Sequence, residues 1–157
     1  MFKKIIAAAA LATLASSAFA ALPNTFYAGV DAGSTKVDDL GESKASYGGF
    51  VGYNINQNFA AEIGARRLGS WGDVDVNQYQ ASIVGTLPLQ NNFNVFGRVG
   101  YNKLDADGNG RGNASDNGGL YGVGVGYAFT PTISGRIEFQ KPSSDSHNLN
   151  AAVAFQF

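Results

Sequence analysis

The side chains able to do acid–base or ion chemistry fall into three groups. Asp31, Glu62, Arg66, Arg98, Arg136 and Glu138 lie within apolar, glycine-rich stretches, with both signs equally represented. Ser143, Ser144, Asp145 and Ser146 crowd beside the one histidine, His147. Asp105, Asp107, Asn109 and Asp116, with Gly110 and Asn113 among them, follow the ligand spacing of a twelve-residue calcium loop. There is no cysteine, so disulfides, thiolate catalysis, cysteine-held metals and a lipidated cysteine are all excluded.

The second group reads as a solvated loop. Neighbours this close in an extended segment point in different directions, whereas a nucleophile, its base and the orienting acid usually come from separate elements. No enzyme is expected, and no cofactor. In the third group Gly112 sits at the usual apolar position, Asp116 replaces the long bidentate glutamate, and no helical pattern flanks the segment. A flexible Asp/Asn/Gly loop is the expected reading, with Asp105, Asp107, Asn109 and Asp116 the only calcium candidates.

What the first group does depends on the elements that hold it. The chain opens with Lys3 and Lys4, an apolar run from Ile5 to Leu14 and the small-residue ending Ala18-Phe19-Ala20, the three parts of a secretory signal. Cleavage is expected after Ala20, giving a leader over 1–20 and one unit over 21–157. The apolar run is too short to cross a bilayer as a helix. A net charge of −1 offers no basic face for nucleic acid. The 21 glycines beside only 4 prolines, with no charge block, fit a compact all-β unit.

Two-residue periodicity then recurs eight times, and each time it sets an apolar face against a polar, glycine-rich one. Phe26, Ala28, Val30 and Ala32 oppose Tyr27, Gly29, Asp31 and Gly33; Phe59, Ala61, Ile63 and Ala65 oppose Ala60, Glu62, Gly64 and Arg66. The same holds around Ala45–Ile55, Gln78–Leu87, Phe93–Asn102, Leu120–Phe129, Ile133–Gln140 and Asn148–Phe157. A soluble barrel would turn the apolar face inward. Here the other face combines Gly with Arg, Glu, Gln and Asn, which fills a narrow lumen and makes a poor soluble exterior. The apolar face therefore meets lipid, and the fold class is an all-β, eight-stranded antiparallel up-and-down transmembrane β-barrel.

Short connections at Asn56–Asn58, Pro88–Asn92 and Thr130–Thr132 alternate with longer ones near Lys36–Ser43, Arg67–Val76, Lys103–Gly119 and Lys141–His147. This is the pattern of outer-membrane barrels, with tight periplasmic turns and longer outside loops, and it predicts both termini in the periplasm. Outward aromatics then sort to the two rims. Phe26, Tyr53, Phe59, Phe93, Tyr127, Phe129, Phe155 and Phe157 collect at one end, and Tyr47, Tyr79, Tyr101, Tyr121 and Phe139 at the other, as headgroup-level girdles do.

The stretch Gly122–Gln140, with Tyr127, Thr130, Pro131, Arg136, Glu138, Phe139 and Gln140, resembles a strand–turn–strand unit of the OmpA-type outer-membrane barrel family. Gly48–Gly69 is similar to that family's second hairpin, and the likeness of layout covers residues 21–157. The resemblance implies the eight-stranded fold independently. It also implies that Phe155 and Phe157 belong to the carboxy-terminal signal read by the barrel assembly machinery. Since the chain ends at Phe157, no counterpart of the family's peptidoglycan-binding domain is expected.

In such a lumen Asp31, Glu62 and Glu138 face Arg66, Arg98 and Arg136, and the expected arrangement is an internal ion-pair network, because an isolated charge there would be costly to desolvate. An eight-stranded barrel has room for side chains and little else. Two functions follow: a structural or surface-interaction barrel with a packed lumen or, as the alternative, a narrow gated pore of low conductance. The implied partners are outer-membrane lipids and lipopolysaccharide, the secretion and barrel assembly machinery, and an unidentified surface ligand. The protein is expected to be a monomer.

Overall fold

The computed structural model describes residues 21–37, 43–71, 74–108, 111–143 and 146–157. The expected leader over 1–20 lies outside them. Eight strands follow in order: β1 Thr25–Val37, β2 Ser43–Asn54, β3 Phe59–Trp71, β4 Val74–Pro88, β5 Phe93–Gly108, β6 Arg111–Ala128, β7 Ile133–Ser143 and β8 Ser146–Gln156. Each pairs antiparallel with its sequence neighbours, and β1 pairs with β8, closing the barrel. Closure leaves no exposed sheet edge in the wall, which a hydrocarbon environment demands. The last residue seals the seam: Phe157 N–H donates to the Phe26 carbonyl at 2.9 Å, and Phe26 N–H donates to the Phe157 carbonyl at 3.2 Å.

Three tight turns define one end. Each is closed by a main-chain bond of the same spacing, with Ile55 N–H donating to Phe59 O, Leu89 N–H to Phe93 O, and Phe129 N–H to Ile133 O. Side chains fix two of them. The Asn56 carboxamide oxygen accepts from the N–H groups of Asn58 and Phe59, both at 2.8 Å, and Thr130 Oγ1 accepts from Ile133 N–H at 2.9 Å. The middle turn places Asn91 and Asn92 at positive φ, a conformation Asn tolerates better than most residues.

Parity along the strands separates two surfaces. Val30, Val51, Ile63, Val99, Val123, Ile137 and Val153 are exposed on the outer wall, while Glu62, Arg98, Gln78, Gln140 and Asn148 are buried inside. At the turn end the outward rings meet one another: Phe26 and Tyr53 with centroids 4.9 Å apart, Phe93 and Tyr127 at 4.9 Å, and Tyr127 and Phe129 at 5.2 Å. Tyr47, Tyr79, Tyr101 and Tyr121 are exposed toward the other end.

The opposite connections differ from the sequence expectation. The stretch Lys103–Gly119, expected as a loop, is mostly a hairpin in which β5 runs to Gly108 and β6 begins at Arg111. The stretches Arg67–Val76 and Lys141–His147 likewise continue as strand, to Trp71 and from Val74, and to Ser143 and from Ser146. Trp71 ends β3, paired with Val74. The physical reason is that alternation records a one-sided environment. Once both faces of a strand meet water the alternation disappears, but neighbouring backbones still supply hydrogen-bond partners and the ladder runs on.

Candidate functional site

The lumen is built from unequal contributions. The six inward charges come from β1 (Asp31), β3 (Glu62, Arg66), β5 (Arg98) and β7 (Arg136, Glu138). The strands between them face inward with small or neutral residues, such as Gly52, Ser82, Gly122 and Ala152. Long side chains from one set therefore reach across the barrel over the other set. Two glycines make this concrete. A Cβ on Gly122 would run into the Glu138 carboxylate, and a Cβ on Gly52 would run into the Tyr27 ring.

At mid-barrel, Glu62, Arg98, Arg136 and Glu138 form one cluster. Arg98 Nη1 lies 2.5 Å from Glu62 Oε1, and its Nε and Nη2 donate to the two oxygens of Glu138 at 2.7 and 3.2 Å. A further bond runs from Arg98 Nη1 to Ser82 Oγ at 2.8 Å. Arg136 grips Glu62 with both terminal nitrogens, at 2.8 and 3.1 Å. Tyr27 donates its hydroxyl to Glu62 Oε2 at 3.0 Å. Glu62 is thus shared by two guanidiniums and a phenol. Such fork geometry satisfies the lone pairs that a desolvated carboxylate would otherwise leave bare.

A second tier sits toward the extended hairpins. Arg66 Nε donates to Asp31 at 2.7 Å, and its Nη1 donates to Gln140 Oε1 at 2.8 Å and Asn148 Oδ1 at 3.1 Å. Gln140 joins the tiers by donating to Glu138 at 3.1 Å. Asn148 donates in turn to Thr35 and Ser46 at 2.7 and 2.8 Å. The six charges singled out in the sequence are therefore brought together. Tyr27, Ser82, Gln140 and Asn148, which complete their bonding, had been placed on the polar face by parity, but nothing in the sequence marked them from other polar residues there.

Below the cluster the filling thins. Ala60, Ala128, Ala154, Gly126 and Ser134 border a cavity of about 140 Å³ at the turn end, and Arg136 forms its ceiling with Phe96. The Arg136 guanidinium stacks over Phe50 at 4.0 Å and lies 5.7 Å from the Phe96 ring, which stabilises the cation by its approach to the ring faces. Its Nε has no hydrogen-bond partner. The cavity holds several water molecules by volume, and it stops at the plug.

Among the described residues the other candidates are not brought together. Asp105 pairs in register with Ser115, while Asp116 pairs with Leu104, so alternation turns the two carboxylates to opposite faces of the hairpin. Asp105 contacts Lys103 Nζ, and Asp116 accepts from the Asn117 N–H. Asn109 lies outside the described residues, and Asp107 lies near the hairpin tip in β5. Among the described residues no group of three or more acidic, histidine or cysteine side chains could hold a metal. Ser144 and Asp145 also lie outside the described residues. His147 stacks on Phe139, with centroids 6.0 Å apart. Phe155 and Phe157 stack at 6.3 Å on the outer wall beside the barrel seam.

A model of the outer membrane protein beta-barrel domain matches residues 6–157. Outer membrane protein A of Escherichia coli O157:H7 is 30% identical over 169 aligned residues, covering 92% of this chain and 49% of that protein. The chain spans about half the length of the curated relatives it matches. Among solved structures, Neisserial surface protein A is 24% identical with a TM-score of 0.60, covering 84% of this chain and 97% of that one. The amino-terminal barrel domain of Pseudomonas aeruginosa OprF is 14% identical with a TM-score of 0.62, over 83% of this chain and 97% of that one. Both structures share the fold.

Proposed function

Because the chain belongs to the outer membrane protein beta-barrel family and resides in a Gram-negative outer membrane, we propose that it works as a sealed membrane-spanning scaffold that presents extended hairpins at the cell surface. Residues 1–20 serve as the export leader and residues 21–157 as the inserted barrel, with the tight turns toward the periplasm. Its outer wall meets lipid, with lipopolysaccharide around the surface end.

One observation carries this reading. Arg98 fills the centre of the lumen at 1% exposure, and each of its three guanidinium nitrogens meets a carboxylate. A charge held this way is not a free lining group for passing ions. The experiment is planar-bilayer recording of the refolded protein. Silent bilayers are expected, and a steady large conductance would overturn the proposal.

A second reading, a narrow gated pore, is favoured by the sharing of Glu62. Since Arg98 and Arg136 both hold it, one partner can leave without stranding the carboxylate. That reading requires discrete openings, altered in number by Glu62→Gln, where the sealed scaffold gives none.

A further inference from the structure

Above the membrane wall the barrel is not closed. The β6–β7 ladder begins only at Tyr121↔Lys141, whereas β6 itself starts at Arg111 and pairs with β5 up to Ala114 and again, after a register shift between Ala106 and Gly108, at Arg111. Among the described residues, nothing pairs with Arg111–Leu120 on the β7 side. Alternate residues of this stretch thus present unpaired backbone donors and acceptors on that edge, which is a template for an added strand. On the other side of this projecting sheet, β3 extends only from Leu68 to Trp71 beyond its pairing with β2.

A second feature lies at the foot of the β6 edge. Where the β6–β7 ladder ends, a notch of about 410 Å³ opens between Asn102, Asp116, Gly118, Lys141 and Pro142. Asn102 is 1% exposed; its Nδ2 donates to the Pro142 carbonyl at 2.8 Å, and its Oδ1 has no partner. Asp116 brings a carboxylate to the same notch. A Cβ at Gly118 would meet nothing within 4 Å, so the strand is open to approach there. Lys141 lines the lip on the outward parity of β7, whereas Asp116 and Asn102 share the inward parity. The inward side of the notch therefore offers acceptors and negative charge.

We infer that this edge and notch form a docking site for an extended peptide segment of another protein, pairing its main chain with β6 and placing one basic side chain against Asp116 and Asn102 Oδ1. The inference rests on the surface-presentation reading given above. A second copy of this chain in the same membrane fits poorly. Strands of such barrels tilt by roughly 35–45° from the membrane normal. Copies related by an axis along that normal would therefore cross their β6 edges steeply instead of laying them side by side.

The test uses the full chain in nanodiscs of zwitterionic lipid, which give a basic peptide no anionic surface to adhere to. Two synthetic peptides of alternating Thr and Val are compared, one with Arg at its centre and one with Glu, and amide hydrogen exchange is read along β6. The Arg-centred peptide should slow exchange of alternate amides within Ser115–Leu120 by about tenfold or more, with the Glu-centred peptide leaving them unchanged. Asp116→Lys should remove the protection, and Asp116→Asn should weaken it while preserving side-chain volume. Equal protection by both peptides, no protection by either, or protection that survives both substitutions would overturn the proposal. So would slowed exchange without peptide that grows with protein concentration, which would mean pairing between copies. A conducting bilayer would instead count against the sealed scaffold and leave this readout untouched.

Discussion

Arg98 and Glu62 meet at 2.5 Å with neither side chain exposed, although β4 stands between the strands that carry them. The contact reaches over β4, where Ser82 Oγ accepts from the same Arg98 Nη1 at 2.8 Å. Removing either partner leaves the other buried with its charge only partly met.

Arg98→Ala should therefore destabilise the barrel by about 3–5 kcal/mol, the usual penalty for stranding half of a buried pair. Glu138 loses its bidentate partner entirely, and Glu62 retains only Arg136 and Tyr27. Urea titration of folding into lipid vesicles measures the loss. A midpoint equal to that of the unaltered protein would show that the pairs contribute nothing net.

Water should reach the lumen from one end only. The native chain has no cysteine, so single cysteines report cleanly. Ala128→Cys borders the turn-end cavity and should react with small water-soluble thiol reagents in the folded, lipid-embedded protein. Ser82→Cys, beside Arg98 in the plug, should stay unmodified until the barrel unfolds. Equal reactivity at the two positions would mean that the plug does not exclude water.

The outer wall gives a control of opposite kind. Val123 is 63% exposed and sits between Gly97 and Phe139 on neighbouring strands. In water such a position would tolerate a charge. In lipid, Val123→Arg should cost about 2–4 kcal/mol, seen as a lowered urea midpoint in vesicles.

The wall of this barrel was legible in the sequence because each membrane strand has lipid on one side and packed side chains on the other. That asymmetry writes a period of two, so Phe26 to Ala32 or Phe93 to Asn102 could be assigned inward and outward faces without coordinates. The six lumen charges were legible for the same reason: parity put Glu62 and Arg98 on one surface, and a narrow barrel must bring them together. Parity cannot say which acid meets which base. The grip of Arg136 on Glu62 depends on register and stagger around the whole barrel. The hairpin beyond Lys103 was missed because it carries no alternation, with Ser115, Asp116 and Asn117 exposed in succession, and the free β6 edge is a matter of pairing, which composition does not record.

The charges held by β1, β3, β5 and β7 also bear on the order of assembly. Glu62 and Arg136 lie 74 residues apart and neither has its full set of partners until β7 has joined the growing wall. Adjacent strands can zip through local backbone bonds well before that. Contacts that arise after the rate-limiting step of folding do little to hasten it and instead slow the reverse reaction. The central cluster is thus best placed to act as a latch, set once the last strands are home, which keeps an inserted barrel from coming apart.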